Sequence, residues 1–498
     1  MKNSVKNLTY LVSSNIVLKV LGVISVMVYT RYLSKEEIAL YPFFTIVGRL
    51  STVVFSFGLL NTLVRDVPHL LEEKQMEEVR SRILTNLFII VPGIFLFSVL
   101  FYFLSGTLSS FYFETAEYTY YLKWMSIGIF FSGINTAFAY VYWALSRFKQ
   151  ESGRMVVVGV IQIVTTVVFI IAWGIFGFII SLVLSSVVST IIYIHNLRDV
   201  IFVSSFKWNP GKSWFRESMP FYLESYLMFF REQGDQLFVA TLLGPNALAV
   251  YFIAKKPYDI LSSFTISLDQ VLTTSLAKLK NQKKLFNERV SNIITLNSYI
   301  LFPLVLIAIG VCPTGILLIA GKGYEAAVVP SAILLLWLIV QLSWRTALGK
   351  PIFILKSSSG RFKVTLVETL TLIGFMFVLG HFYGLMGVVI GRLIATVVAG
   401  VYAYSLIKND VSINIDIKSI ATITANGMVV CALLLLVQYT SANYLLIGVS
   451  FIASIALYLF LINRTVSDTY YSVLNSVSPF KIKDPFSYLI KKSRSSAI

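Results

Sequence analysis

Fourteen apolar segments, each about the length of a bilayer-spanning helix, follow one another along this chain with only short polar connections between them. Their approximate bounds are 8–30, 40–64, 83–106, 119–145, 155–174, 176–196, 218–243, 247–275, 291–319, 325–349, 362–381, 385–406, 419–440 and 443–463. Roughly 20 apolar residues in a helix cross the hydrocarbon core, and lipid leaves no backbone polar group unpaired. The pattern therefore predicts an all-α integral membrane protein with about 14 transmembrane helices. Composition agrees: 13% of the residues are charged and 57% are hydrophobic, whereas soluble domains average about 25% charged. No connection is long enough for a domain outside the membrane. The first segment lacks a small-residue cleavage site and carries Lys19 in its middle, so it reads as a retained span rather than a signal peptide. Cys312 and Cys431 sit in apolar runs and read as small buried hydrophobes.

Charge orients the segments. With the N-terminus inside, cytoplasmic connections and tails hold thirty of the 41 Lys and Arg, and external connections hold only Arg31, Lys35 and Lys322. That asymmetry predicts a multi-pass cell-membrane protein with both termini cytoplasmic. The net charge of +17 then reflects topology and anionic-lipid contact, and no nucleic-acid partner is expected. Lys481, Lys483, Lys491, Lys492 and Arg494, interleaved with Phe480, Phe486 and Tyr488, read as a basic tail on the membrane surface.

Eight cations remain inside the spans: Lys19, Arg49, Lys123, Arg231, Lys255, Lys256, Arg345 and Arg392. A cation at membrane depth costs roughly 2.5–3.5 kcal/mol, so each needs a partner, water or a role. The first six segments contain no Asp or Glu. Lys19 and Arg49 lie far from both ends of their spans, and Thr45, Thr52 and Ser56 share a helical stripe with Arg49, as on a water-lining face. Arg can grip two phosphate oxygens while Lys supplies a movable point charge. We expect Lys19 and Arg49 to hold an anion, with Lys256 and Arg392 as counterparts from the second half. Lys123, near a span end, is expected to snorkel, and Arg345 is close to an interface.

The second half is balanced differently, with Glu224, Glu232, Asp235, Asp259, Asp269 and Glu368 in its spans. Arg231–Asp235 and Lys255–Asp259 have the spacing of ion pairs within a helix. Alternatively Glu224, Glu232, Asp235 and Asp259 bind H⁺ or Na⁺ as coupling ions, because protonation switches the burial cost of a carboxylate. Pro257 is expected to kink its helix and act as a hinge. His69, His195 and His381 lie on separate hairpins without metal-ligand spacing, and no Gly-rich phosphate loop occurs. Neither catalytic residues, nor a metal, nor a cofactor is expected.

The chain also repeats itself. Tyr32-Leu33-Ser34-Lys35-Glu36-Glu37-Ile38-Ala39-Leu40-Tyr41 aligns with Leu242-Leu243-Gly244-Pro245-Asn246-Ala247-Leu248-Ala249-Val250-Tyr251 at an offset of 210. Basic Ser/Gly turns at 146–154 and 356–361 follow at nearly the same offset, and a link at 197–217 containing Asn209-Pro210-Gly211 separates the halves. Such repeats mark transporters built from duplicated bundles. The expected organisation is an N-lobe at 1–196, the link at 197–217, a C-lobe at 218–406, two further helices at 407–463 and a tail at 464–498. Six helices per lobe would insert both lobes alike, related by a pseudo-twofold axis along the membrane normal.

Three stretches carry a resemblance to a known family. Thr30 to Tyr41 resembles the R-x-L-x-x-x-x-[FY]-G-x-Y linker of polysaccharide and oligosaccharide flippases, with Ala39 in place of the usual Gly. Phe57 to Arg65 resembles that family's G-x-x-x-x-[LV]-[IV]-R helix end, and Leu243-Gly244 to Tyr251 with Lys255 and Lys256 resembles its second-half signature. These are the O-antigen and repeat-unit exporters of the multidrug/oligosaccharidyl-lipid/polysaccharide superfamily. The resemblance implies two six-helix lobes around a central cavity, opening alternately to each side, and no covalent chemistry. It implies a flippase carrying oligosaccharide on a polyprenyl phosphate or pyrophosphate, working as a monomer among glycan-assembly proteins. Two other readings are a multidrug or organic-cation antiporter of the same superfamily and a membrane glycan polymerase or ligase. The carboxylate-free first lobe argues against the former, and the absence of a large catalytic loop against the latter.

Overall fold

The computed structural model describes residues 18–19, 21–202, 212–277, 279, 282–355, 357–440, 448–458 and 460–461. Asn209-Pro210-Gly211 and the basic tail lie outside them, as do residues 8–17 and 20 of the first apolar segment. The chain is all-α, with no strand among the described residues. In order come α1 (21–32), α2 (Lys35–Ser56), α3 (Leu59–Glu72), α4 (Met76–Tyr112), α5 (Thr119–Ala144), α6 (Phe148–Asn196), the short α7 (Arg198–Ile201) and α8 (Lys212–Ala277). Then follow α9 (Lys283–Ala320), a 3₁₀ turn at Lys322–Ala327, α10 (Val328–Val340), a π turn at Gln341–Thr346, α11 (Ala347–Leu355), α12 (Ser357–Ile407), α13 (Ile417–Thr440) and α14 (Gly448–Tyr458).

Nine helices among the described residues are long and apolar enough to cross a membrane. Along α4 the exposed side chains Phe88, Phe95, Phe103 and Phe111 recur every seven or eight residues, putting them on one face. An aqueous protein does not leave such a stripe uncovered; lipid covers it at no cost.

Three glycines turn the long helices. Gly174, Gly244 and Gly384 have φ of 56°, 80° and 56°, values that a side chain resists. A Cβ on Gly177 would stand 1.9 Å from the Phe169 carbonyl oxygen. Residues eight apart in a straight helix are about 12 Å apart at 1.5 Å per residue, so α6 doubles back here. Gly387 meets the Leu379 carbonyl oxygen at 1.8 Å in the same way. Gly174 and Gly384, Gly177 and Gly387, Phe169 and Leu379 are each 210 positions apart, so the repeat read from the α1–α2 hairpin recurs in a second, independent turn.

Packing divides the chain into two compact units. One comprises residues 1–256, 319–321 and 373–388; the other comprises 257–318, 322–372 and 389–498. Packing thus groups the start of α8 with the first unit, whereas the repeat places it at the head of the second half. The core of the first unit includes Leu59, Leu63, Ile83, Ile90, Val141 and Tyr142 from α3, α4 and α5, with Tyr193 from α6. In the second unit Phe286, Val290 and Ile293 of α9 pack with Leu348 and Ile352 of α11 and Ala399 and Ala403 of α12. A smaller cluster joins Tyr299 to Ile423, Val430 and Leu434 of α13 and to Tyr458.

Candidate functional site

The site is assembled where α8 meets the break between α2 and α3 in the first unit. Ser34 caps α2 by accepting from the Glu37 backbone N–H at 3.2 Å, and the Glu37 carboxylate accepts from the Ser34 N–H at 2.7 Å. The helix ends at Phe57 and Gly58, both with positive φ. Gly58 is obligatory twice over, because a Cβ there would lie 2.2 Å from the Ser218 carbonyl oxygen of α8. That close approach lets the Tyr222 hydroxyl donate to the Val54 carbonyl at 2.9 Å and the Asn61 amide donate to Ser225 at 3.1 Å.

About two turns beyond Ser225 along α8, Glu232 accepts a hydrogen bond from the Arg49 guanidinium of α2. The side chains are 44% and 37% exposed. Charges held at mid-span do not face lipid at 2.5–3.5 kcal/mol each, so this pair faces water. Exposed pairs are worth only about 0.2–1 kcal/mol, which makes this one exchangeable. Arg231 stands 3.8 Å from the other Glu232 oxygen, and Tyr140 of α5 lies within electrostatic reach of both Arg49 and Glu232.

Two of the three hydroxyls in the stripe expected beside Arg49 are buried. Thr52 and Ser56 are buried and donate to the Gly48 and Val53 carbonyls of their own helix at 3.4 and 3.3 Å. A membrane helix can satisfy a hydroxyl internally at i−3 or i−4, so helical spacing alone does not identify a wet face.

Lys255 is paired differently from the expected intrahelical spacing. Asp235, fully buried, accepts from the Lys255 ammonium at 2.9 Å and from the Tyr251 hydroxyl. The turn at Gly244 folds the two halves of α8 together, so residues 20 apart meet in place of residues four apart. Removing one partner of such a buried pair costs about 3–5 kcal/mol, so this pair is structural in weight where Arg49–Glu232 is light.

The Lys256 ammonium lies 3.8 Å from the Phe252 ring centroid and 5.9 Å from that of Tyr41, and it lines a cavity of about 200 Å³ with Ser25, Tyr29 and Gln162. Lys19 is half-buried before α1, and Glu224 is half-buried on α8. Lys123 points over the Tyr102 ring at 5.3 Å. In the second unit Asp259 is half-buried, and α8 carries helical geometry through Pro257, the first residue of that unit. Arg392 is 4% exposed, its guanidinium 4.0 Å from the Trp337 centroid, and Trp337 stacks on Tyr258 at 4.3 Å. Arg345 donates to Glu368 at 2.8 Å in a buried pair. The side chain of Asp269 lies outside the described residues.

Sequence reasoning missed a second cavity, of about 300 Å³, between α5 and both arms of α6. Its floor is a buried network: Arg154 donates to Glu151 at 2.6 and 3.0 Å and to Ser189 at 2.8 Å, and the Tyr193 hydroxyl donates to Glu151 at 2.8 Å. In the sequence Arg154 falls in a basic, Ser/Gly-containing cytoplasmic turn. The usable signal was the stripe Ser132, Asn135, Thr136, Ala139, Tyr140, Trp143, at helical spacing and largely polar. Among the described residues no group of three His, Cys, Asp or Glu could hold a metal ion.

Known structures share this fold. A lipid II flippase, MurJ, in an inward closed conformation superposes with a TM-score of 0.67 at 15% identity, covering 91% of this chain and 97% of that one. An inward-facing multidrug resistance MATE family transporter of the MOP superfamily gives 0.64 at 16%, over 78% and 94%. A MOP superfamily transporter from Pyrococcus furiosus, titled for the reverse polarity of its binding pocket, gives 0.57 at 14%, over 81% and 96%. No curated protein matches in sequence. The family model described as "Polysaccharide biosynthesis protein" matches residues 28–329, more than half of the chain. By that match the chain belongs to the polysaccharide biosynthesis protein family.

Proposed function

We propose that the protein is a flippase that moves oligosaccharide linked to a polyprenyl phosphate or pyrophosphate from the cytoplasmic to the external leaflet by alternating access. The observation that carries this reading is the exposed, weakly held guanidinium of Arg49, on a helix of the half whose apolar segments, as read from the sequence, contain no carboxylate. A lipid-linked phosphate offers more charge than a carboxylate and accepts a bidentate grip, so it displaces Glu232 from Arg49. Lys256, lining its own cavity, and Lys19 supply further positive charge.

Coupling follows from the same exchange. Protonation of Glu232 removes the competing charge, so proton and phosphate binding favour each other. Of the four carboxylates considered for H⁺ or Na⁺, Glu232 suits this role because it is reachable, whereas Asp235 is engaged with Lys255 and Tyr251. The family membership and the MurJ-like fold support the reading.

The test is translocation of a fluorescent polyprenyl-pyrophosphate oligosaccharide in liposomes containing the purified protein, with proton or sodium gradients imposed. Movement that depends on protein and is lost in Arg49→Gln supports the proposal. No movement under either gradient, together with uptake of an organic cation that requires Glu232, would replace it with the antiporter reading.

A further inference from the structure

The cavity between α5 and α6 has chemistry that the phosphate exchange does not use. We propose that it is a saccharide subsite, which takes a neutral pyranose ring. It rests on the flippase reading only for which sugar arrives there.

Charge is the first consideration. The one cation in the lining, Arg154, is paired with Glu151 through two N–H groups and gives a third to Ser189, so its charge is already matched and the cavity holds no surplus positive charge for an anion. Hydrogen-bond polarity is the second. Ser185 and Ser186 both donate to the Leu182 carbonyl at 2.9 Å, and Thr136 donates to the Ser132 carbonyl at 3.0 Å. A hydroxyl that donates backwards to its own helix keeps lone pairs for a ligand, so these positions present acceptors. Ser189, accepting from Arg154, retains an O–H to give, and the Gln162 amide adds donors and an acceptor. A phosphate, which carries almost only acceptors, is mismatched to this lining. A polyol, which both donates and accepts, is matched.

Shape is the third. Tyr140 and Trp143 flank the cavity with ring centroids 4.9 Å apart and planes inclined at 51°, and Trp143 is 39% exposed. The C–H face of a pyranose lies on such rings while its hydroxyl rim reaches the Ser, Thr and Gln groups. A volume of about 300 Å³ is at the small end for ligand sites, which suits one sugar rather than a whole repeat unit. Tyr140 is also the residue in electrostatic reach of the Arg49–Glu232 pair. Gln162 lines both this cavity and the one that holds Lys256.

Saturation-transfer difference NMR on the protein in nanodiscs tests this with methyl glycosides of glucose, galactose, N-acetylglucosamine and N-acetylgalactosamine as probes. At least one glycoside should receive saturation, and 10 mM inorganic phosphate should not displace it. Trp143→Ala should weaken binding about five-fold or more. Ala139→Leu, which fills the cavity without removing a polar group, should do the same. No transfer to any glycoside, transfer unchanged in both cavity variants, or displacement by phosphate would overturn the subsite. Glycoside binding with these properties in a protein that moves no lipid-linked sugar would count against the flippase reading alone.

Discussion

The guanidinium of Arg49 on α2 is held by the carboxylate of Glu232 on α8, within one compact unit. The sequence suggests two separate tasks for these residues, anion binding for one and ion coupling for the other. On the proposed reading their contact makes the two tasks one equilibrium, in which an anion binding Arg49 competes with Glu232 and a proton on Glu232 favours the anion.

Arg49→Gln should abolish export while shifting stability by no more than about 1 kcal/mol, the scale of an exposed pair. Arg49→Lys should keep part of the activity, because a point charge attracts phosphate without the bidentate fork. Transport in liposomes and thermal melting in detergent check the two halves of this statement.

Lys255→Met and Asp235→Asn should each cost about 3–5 kcal/mol, because each strands a buried partner. The double variant should recover much of that loss. A double-mutant cycle by chemical or thermal unfolding measures the coupling.

Gly58→Ala should lower stability and yield sharply, since its Cβ meets the Ser218 carbonyl at 2.2 Å at a φ of 73°. Gly153→Ala, with nothing within 4 Å and an ordinary helical φ, should be neutral or slightly stabilising. Melting temperatures of the two variants provide the comparison.

Gly174→Ala and Gly384→Ala should destabilise by similar amounts, about 1–3 kcal/mol each. Their backbones match, with φ of 56° and ψ of −134° and −136°, and neither added Cβ would meet another atom within 4 Å. The cost is therefore conformational and should follow the repeat. Unequal melting shifts would count against an equivalent role for the two turns.

Much of the scaffold was legible because lipid imposes a simple rule: long apolar runs are helices. The hairpin match at an offset of 210 was legible too, and Glu36 and Asn246, equivalent in that alignment, are hydrogen-bonded at 3.1 Å. Side-chain partnerships were not legible, because they depend on how helices fold back. Lys255 has a carboxylate four residues away in sequence, yet its partner is Asp235 across the Gly244 turn. Thr52 and Ser56 have the spacing of a wet stripe but bond to their own helix. Glu151 and Arg154 sit in a polar stretch that reads as a loop until α6 buries them against Tyr193.

The exchange at Arg49 is tested most directly by titrating the purified protein with farnesyl pyrophosphate, a short prenyl pyrophosphate, using calorimetry at two pH values. Glu232→Gln should bind several-fold tighter than the native protein and lose the gain in affinity that acidification otherwise brings, while Arg49→Gln should bind at least about ten-fold more weakly. Unchanged affinity in Arg49→Gln, or weaker binding in Glu232→Gln, would contradict the exchange.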